Sequence, residues 1–167
     1  FTSDHGFHLD EHDFWMKVSL KEESVRVPLI VKVPGKKAQV TDSFVELIDL
    51  YPTIAELAGV KVQDEIQGVS FVPTLDDPTV KTREMAFSVN TWKGGHTFLL
   101  RSDKWAFTLY DEDGGSGIEL FDMQHDPKQY NNLANYPAYQ DIVAELKKKV
   151  HEKLETIRNN DLPAKIN

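Results

Sequence analysis

At 167 residues and 40% hydrophobic content the chain is long enough to bury a core, and its formal charge of −8 excludes a general nucleic-acid binder, which would carry a basic face. The absence of cysteine excludes a disulfide scaffold, a thiolate zinc site and a thiol nucleophile within this stretch. No apolar run is long enough to form a transmembrane segment.

The chain opens on Phe1-Thr2-Ser3-Asp4-His5-Gly6-Phe7-His8-Leu9-Asp10-Glu11-His12, which concentrates acidic side chains, three imidazoles and a glycine. An apolar residue leading through small polar ones into Asp-His-Gly reads as a buried strand end opening onto a loop. In open α/β sheets ligands bind at such carboxyl ends, so Asp4 and His5 stand where a metal or an anionic substrate would be met. The chain begins without an initiator Met and with no earlier strand for Phe1 to pair with, which predicts a fragment. Residues 10–20 read as an irregular excursion or a short helix. Val25 to Val33 has the β-branched content of a strand buried on both faces, with Pro28 at its entry and Pro34-Gly35 ending it.

Val40 to Val60 carries a helical pattern, with Leu47, Leu50, Ile54, Leu57 and Ala58 at helical spacing. Asp49 is its expected N-cap, Pro52 belongs in its first turn and Gly59 at its left-handed end. Gln67 to Leu75 reads as a loop with two apolar anchors. From Glu84 the pattern changes to four short strands, Met85–Asn90, His96–Arg101, Trp105–Tyr110 and Ile118–Asp122, spaced for an antiparallel meander. Ala138 to Ile157 is an amphipathic helix with Ile142, Val143, Leu146, Val150 and Leu154 on one face. The tail from Asn159 is expected to fray. The fold class is α/β, divided into a segment of a larger α/β domain at 1–79 and a small sheet-plus-helix subdomain at 80–167.

Asp4 and His5 can converge on one ion where the backbone turns at Gly6; the carboxylate suits Ca²⁺ or Mg²⁺, the imidazole suits zinc. The same triplet is also a turn with a capping Asp. His8 and His12, four apart, are a possible zinc pair or part of an acidic loop, and Gly6 and Asp10 discourage the helix that a pair would need. Lys17 offers a point charge to an anionic oxygen or a solvated side chain. Arg26 beside Glu22 and Glu23 reads as a structural ion pair, and Trp15, Trp92 and Trp105 as packing residues.

Taken together, Thr2-Ser3-Asp4-His5-Gly6, Leu9-x-Glu11-His12, Lys17 and Glu23-Ser24-Val25-Arg26-Val27-Pro28-Leu29-Ile30-Val31-x-Val33-Pro34-Gly35 resemble the C-terminal third of the type I sulfatases, of the alkaline-phosphatase-like superfamily. The resemblance continues through Glu46-Leu47-Ile48-Asp49-Leu50-Tyr51-Pro52-Thr53-Ile54, Gly68-x-Ser70-Phe71-x-Pro73, Glu119-Leu120-Phe121-Asp122-x-x-x-Asp126-Pro127 and Asn131-Asn132-Leu133-Ala134. The Asp-His form of the first motif is most similar to the iduronate-2-sulfatase branch.

The resemblance implies the C-terminal edge of a large mixed sheet with a small antiparallel subdomain, and a sulfuric ester hydrolase acting on sulfated carbohydrates. It assigns Asp4 and His5 to the active-site Ca²⁺, Lys17 to the substrate sulfate and Phe7 to the sugar. His5 is an awkward ligand for so hard a cation, and a hydrogen bond beside the ion is its other implied role. The family's formylglycine nucleophile, made from Cys or Ser in a Cys/Ser-x-Pro/Ala-x-Arg motif, is not in this chain, which makes the missing N-terminal part of the domain the implied partner. The implied location is extracytoplasmic. Two other readings stand beside this one: a zinc phosphodiesterase or phosphatase of the same superfamily, and a non-catalytic binding domain.

Overall fold

The computed structural model describes residues 1–62, 66–92 and 94–158. In chain order its elements are short strands β1 (His8–Leu9) and β2 (Trp15–Met16), the helical turn α1 (Glu22–Val25), helices α2 (Leu50–Leu57) and α3 (Val72–Asp76), strands β3 (Met85–Trp92), β4 (Gly95–Ser102), β5 (Trp105–Tyr110) and β6 (Gly117–Asp122), and the long helix α4 (Gln140–Arg158). Among the described residues they pack as two compact units, one joining residues 1–35 to 85–150 and the other joining 36–84 to 151–158. Packing groups the opening loop with the four-stranded sheet.

In the first unit β3 to β6 form an antiparallel meander in sequential order. Only Asp103 and Lys104 separate β4 from β5, far too few residues for a parallel crossover. Leu100 pairs with Phe107, Phe107 with Leu120, and Phe98 with Leu109, so one face carries all five, each of them buried. Along α4, Val143, Leu146 and Val150 are buried at helical spacing. Tyr139, just ahead of α4, meets Trp105 of that same sheet face edge-on at 6.1 Å, and Lys147 donates to the carbonyl of Asp113 between β5 and β6. The helix stripe and the Phe107 face therefore cover one another. The opposite face presents Leu99, Ala106 and Phe121, over which Leu20 and Val25 of the opening segment pack.

The outer edge of β6 is closed by a side chain. Asn132 accepts the Leu120 N–H at 3.0 Å and donates to the Ile118 carbonyl at 3.0 Å, and Leu133 N–H reaches the Leu120 carbonyl at 2.8 Å. Asp126 holds the turn that delivers Asn132, accepting the Asn131 N–H at 2.7 Å. The Asp126-Pro127 and Asn131-Asn132 motifs are thus turn and edge chemistry.

In the second unit Asp49 is the hub. Its buried carboxylate accepts Arg83 Nε at 2.8 Å, the Val69 N–H at 2.7 Å and the Glu46 N–H at 2.9 Å. One turn on, the Thr53 hydroxyl accepts the Phe71 N–H at 3.0 Å. Asp49 does precede α2, as an N-cap would, but its side chain makes no capping bond to that helix. Pro52 lies in the first turn, and Gly59 takes φ +67° beyond the end.

Several expectations are corrected. The doubly buried strand at 25–33 does not form: Val25 belongs to α1, and Leu29, Ile30 and Val31 are exposed. The segment's pairing is one bridge, Thr2 to Leu29, because a strand buried on both faces needs neighbours on both edges and the described residues supply this single partner. The helix expected from Val40 is confined to Leu50–Leu57, preceded by a 3-10 turn at Leu47–Asp49. Its apolar pattern is present, yet Leu47, Ile54 and Leu57 are exposed, while Pro52, Thr53 and Ala55 are buried. The expected loop before Leu75 contains α3, whose start at Val72-Pro73 uses proline where a helix tolerates it. Trp15 is exposed and spans the β1–β2 tip by a bond from Nε1 to Asp10 at 3.1 Å. The expected fraying of the tail from Asn159 lies outside the described residues.

Leu146→Ala should lower the unfolding free energy by about 2–5 kcal/mol, from lost burial plus a cavity, whereas Glu155→Ala should stay within about 0.5 kcal/mol; chemical denaturation measures both. Burial pushes the Asp49 carboxyl up, but the Arg83 guanidinium and the Val69 and Glu46 amides outweigh it and hold it below the usual carboxylate range. The unfolded chain then takes up the proton first, so this stabilisation is complete above about pH 4 and is lost as pH falls below that. Urea midpoints at pH 7 and pH 3 should differ in this sense. Asp49→Ala should cost about 3 kcal/mol at pH 7, because it strips Arg83 of its hydrogen-bonded carboxylate, leaving Glu46 at 3.6 Å, and takes the acceptor from the Val69 and Glu46 amides.

Candidate functional site

The opening loop seats on α1 by a contact that requires glycine. The Gly6 N–H donates to the Ser24 carbonyl at 2.8 Å, and a Cβ at Gly6 would fall 2.0 Å from the Glu23 carbonyl oxygen. Seated there, the loop brings together three of the four residues singled out in the sequence. Lys17 Nζ lies 2.8 Å from His5 Nε2, and Asp4 Oδ2 lies 3.4 Å from the same nitrogen. Phe7 is half-exposed on the same loop.

The protonation of His5 follows from its partners. Nδ1 is 2.7 Å from the Gly6 carbonyl, which can only accept, so Nδ1 carries the proton; the Lys17 ammonium can only donate, so Nε2 offers its lone pair. The Nε2 lone pair and the Asp4 carboxylate are then two acceptors facing the same space, an arrangement that repels unless positive charge stands beside it. Asp4's own backbone N–H, helped by the His5 backbone N–H and the Lys17 charge, holds its carboxyl below the usual range against desolvation. With the His5 lone pair taken by Lys17, the Asp4 carboxylate is the group here that fits a cation chemically. It is one corner of a site only: among the described residues no group of three or more His, Cys, Asp or Glu side chains is placed to hold a metal.

His5 and Lys17 are joined through the β1–β2 hairpin, in which His8 pairs with Met16 and Leu9 with Trp15. Its tip is strained, with Asp10, His12 and Asp13 at φ 97°, 60° and 53°. Left-handed non-glycine residues cost about 1–3 kcal/mol each and persist only where surrounding contacts hold them. His8 is buried with Nε2 2.7 Å from Ser19 Oγ and Nδ1 3.2 Å from the Glu11 carbonyl. Its ring meets that of His12 edge-on at 5.8 Å. With both nitrogens of His8 engaged, the zinc pair considered from the sequence does not form; His8 ties the hairpin together. Arg26 is largely exposed, 3.6 Å from Glu22, as the ion-pair reading has it.

Behind the hairpin lies a cavity of about 710 Å³, lined by His8, His12, Phe14 and Met16 on one side and by Tyr110, Glu119 and Phe121 on the other. Lys21 crosses it, donating to Glu119 at 2.9 Å and lying 3.9 Å above the Phe121 ring. Burial, followed by the Glu119 charge, pushes the Tyr110 hydroxyl well up, and it donates to Glu119 at 3.2 Å. Sequence reading missed this trio. Lys21 and Glu119 are 98 residues apart, and no local spacing could have joined them.

Residues 10–156 match the family model described as N-sulphoglucosamine sulphohydrolase, C-terminal. Arylsulfatase K of Mus musculus is 31% identical over 144 residues, covering 80% of this chain and 26% of that protein. Arylsulfatase K of Gallus gallus is 33% identical over 144 residues, covering 80% and 27%. The chain thus spans about a quarter of the length of these relatives. Among solved structures, a 2-O GAG sulfatase superposes with a TM-score of 0.85 at 30% identity over 95% of this chain and 36% of its own. A protein solved in complex with its substrate D-glucosamine-2-N,6-O-disulfate gives 0.78 at 27% over 98% and 35%. Phosphonate monoester hydrolase of Agrobacterium radiobacter gives 0.81 at 21% over 93% and 34%, a likeness of fold alone.

Gly6→Ala should drive the opening loop off α1. The expected result is lost protection of the backbone amide at position 6 in hydrogen exchange and a disrupted Lys17–His5 contact by NMR, with Leu99, Ala106 and Phe121 unaffected.

Proposed function

Since the chain belongs to the N-sulphoglucosamine sulphohydrolase C-terminal family, we propose that it is the C-terminal part of a sulfuric ester hydrolase that cleaves sulfated carbohydrates. The observation that carries the reading is the convergence of Asp4, His5 and Lys17 on one loop, an ammonium and two acceptors within 3.4 Å, in the order and spacing of the sulfatase motif. Likeness to a 2-O GAG sulfatase and to a protein solved with a sulfated glucosamine supports the substrate class. Within that class, the Asp4-His5 form favours a branch related to iduronate-2-sulfatase. The nucleophile of the reaction, a formylglycine, belongs to the N-terminal part of the domain, and the whole enzyme works outside the cytoplasm. Among the described residues no helix is long and apolar enough to cross a membrane.

The roles follow from the chemistry of each group. Asp4 is the residue here that would hold Ca²⁺, since a hard cation prefers carboxylate oxygen. His5 stands beside it with its lone pair turned to Lys17, the hydrogen-bonding role favoured over direct ligation. Bound Ca²⁺ supplies charge that offsets the anionic sulfuryl oxygens. Lys17 spends one N–H on His5 and keeps two for a sulfate oxygen, so His5 aims the ammonium while leaving most of its donors free. Half-exposed Phe7 offers an apolar surface to a sugar ring.

In the full-length enzyme, Asp4→Ala should cost bound Ca²⁺ and activity together. Lys17→Ala should leave the metal in place and lower kcat/KM about a hundredfold, the effect of removing one charged donor from a closed site, roughly 3 kcal/mol. Metal analysis and turnover of a sulfated ester read both. Two Zn²⁺ per chain in place of one Ca²⁺, or an unchanged kcat/KM for Lys17→Ala, would refute the assignment.

A further inference from the structure

Between His5 and Lys17 the chain runs through the β1–β2 hairpin, so the contact of their side chains depends on where that hairpin is held. Three left-handed residues at its tip need an external restraint. His12, one of them, is placed to supply it. Its ring packs 5.1 Å from that of Tyr130 and 5.8 Å from that of His8, and its Nε2 stands 3.5 Å from Oε2 of Glu23 in α1. These two atoms are buried from water and neither has a hydrogen-bond partner. A nitrogen and a carboxylate oxygen so enclosed call for a polar partner, and at 3.5 Å each faces the other. The same helical turn receives both limbs of the hairpin: Ser24 takes the Gly6 N–H on its carbonyl and the Ser19 hydroxyl on its own, at 2.8 Å and 2.9 Å. Tip and limbs are all referred to α1.

We propose that His12 is a positioning residue: through Glu23 it latches the hairpin tip to α1 and thereby keeps Lys17 against His5. Its consequence for turnover rests on the sulfate role proposed for Lys17, whereas the latch itself is a property of the loop and can be read without any activity.

The test uses three variants. His12→Asn keeps a side chain that tolerates the left-handed backbone but is too short to reach Glu23, His12→Gln keeps a donor at about the reach of Nε2, and Glu23→Ala removes the other half of the latch. In the 167-residue chain, NMR of the His5 imidazole and of its contact with Lys17 should show both displaced in His12→Asn and in Glu23→Ala and largely restored in His12→Gln. The signals of Leu99, Ala106 and Phe121 should not move. In the full-length enzyme, His12→Asn should lower kcat/KM about tenfold to a hundredfold, as loop misplacement does. The loss should fall in the same parameter as for Lys17→Ala, add little to it in the double variant, and leave bound Ca²⁺ unchanged. An undisturbed His5–Lys17 contact in folded His12→Asn would overturn the latch, and should that variant not fold, the same result in Glu23→Ala would overturn it. If Lys17→Ala alone leaves turnover intact, the sulfate reading fails while the NMR result still decides the latch.

Discussion

The close approach of Gly6 to the Glu23 peptide is the constraint on which the rest of the site depends. It sets the loop bearing Asp4 and His5 directly on α1, and α1 is in turn pinned to the sheet. Gln129 accepts the Glu22 N–H at 2.8 Å, and the Glu22 carboxylate takes Arg101 Nε of β4 at 2.8 Å. A single turn of helix, too short to be stable alone, thus transmits the rigidity of a four-stranded sheet to a loop that would otherwise have little order of its own. This arrangement gives function to a loop and precision to a scaffold.

The second unit solves a similar problem with charge. Asp49 gathers Arg83 and the amides of Glu46 and Val69, three points far apart in sequence, around one carboxylate. Gly68 must pass close by, since a Cβ there would sit 2.2 Å from the Ile48 carbonyl oxygen. Much of the motif content that ties this chain to sulfatases is accordingly structural. Asp49, Thr53, Asp126 and Asn132 satisfy backbone groups, and Gly68 allows a close backbone approach.

The parts legible in the sequence were those fixed by local rules. The four strands and α4 lie within two or three residues of where periodicity put them, because the meander's turns are short and its core residues alternate. The left-handed Gly59 and the placement of Pro52 were legible for the same reason. Asp4, His5 and Lys17 became a group only through resemblance, since a hairpin separates His5 from Lys17. What was not legible depended on distant partners. Val25 to Val33 reads as a strand from its composition, yet the described residues give it one bridge. The trio of Lys21, Tyr110 and Glu119 exists only once the opening segment lies on the sheet, and the left-handed run at Asp10 to Asp13 has no glycine to announce it.

The edge bond of Asn132 has a further consequence. A meander has two borders, each a row of unpaired amides and carbonyls that invites a foreign strand. At β6 that invitation is withdrawn, because an amide side chain occupies the positions where another backbone would pair. Among the described residues β3 is left as the open border, with Val89 half-exposed on it. Intermolecular strand addition, whether as misassembly in a partly folded population or as fibril growth from it, is thereby directed to one side of the sheet, and surface charge placed along β3 would be the economical defence against it.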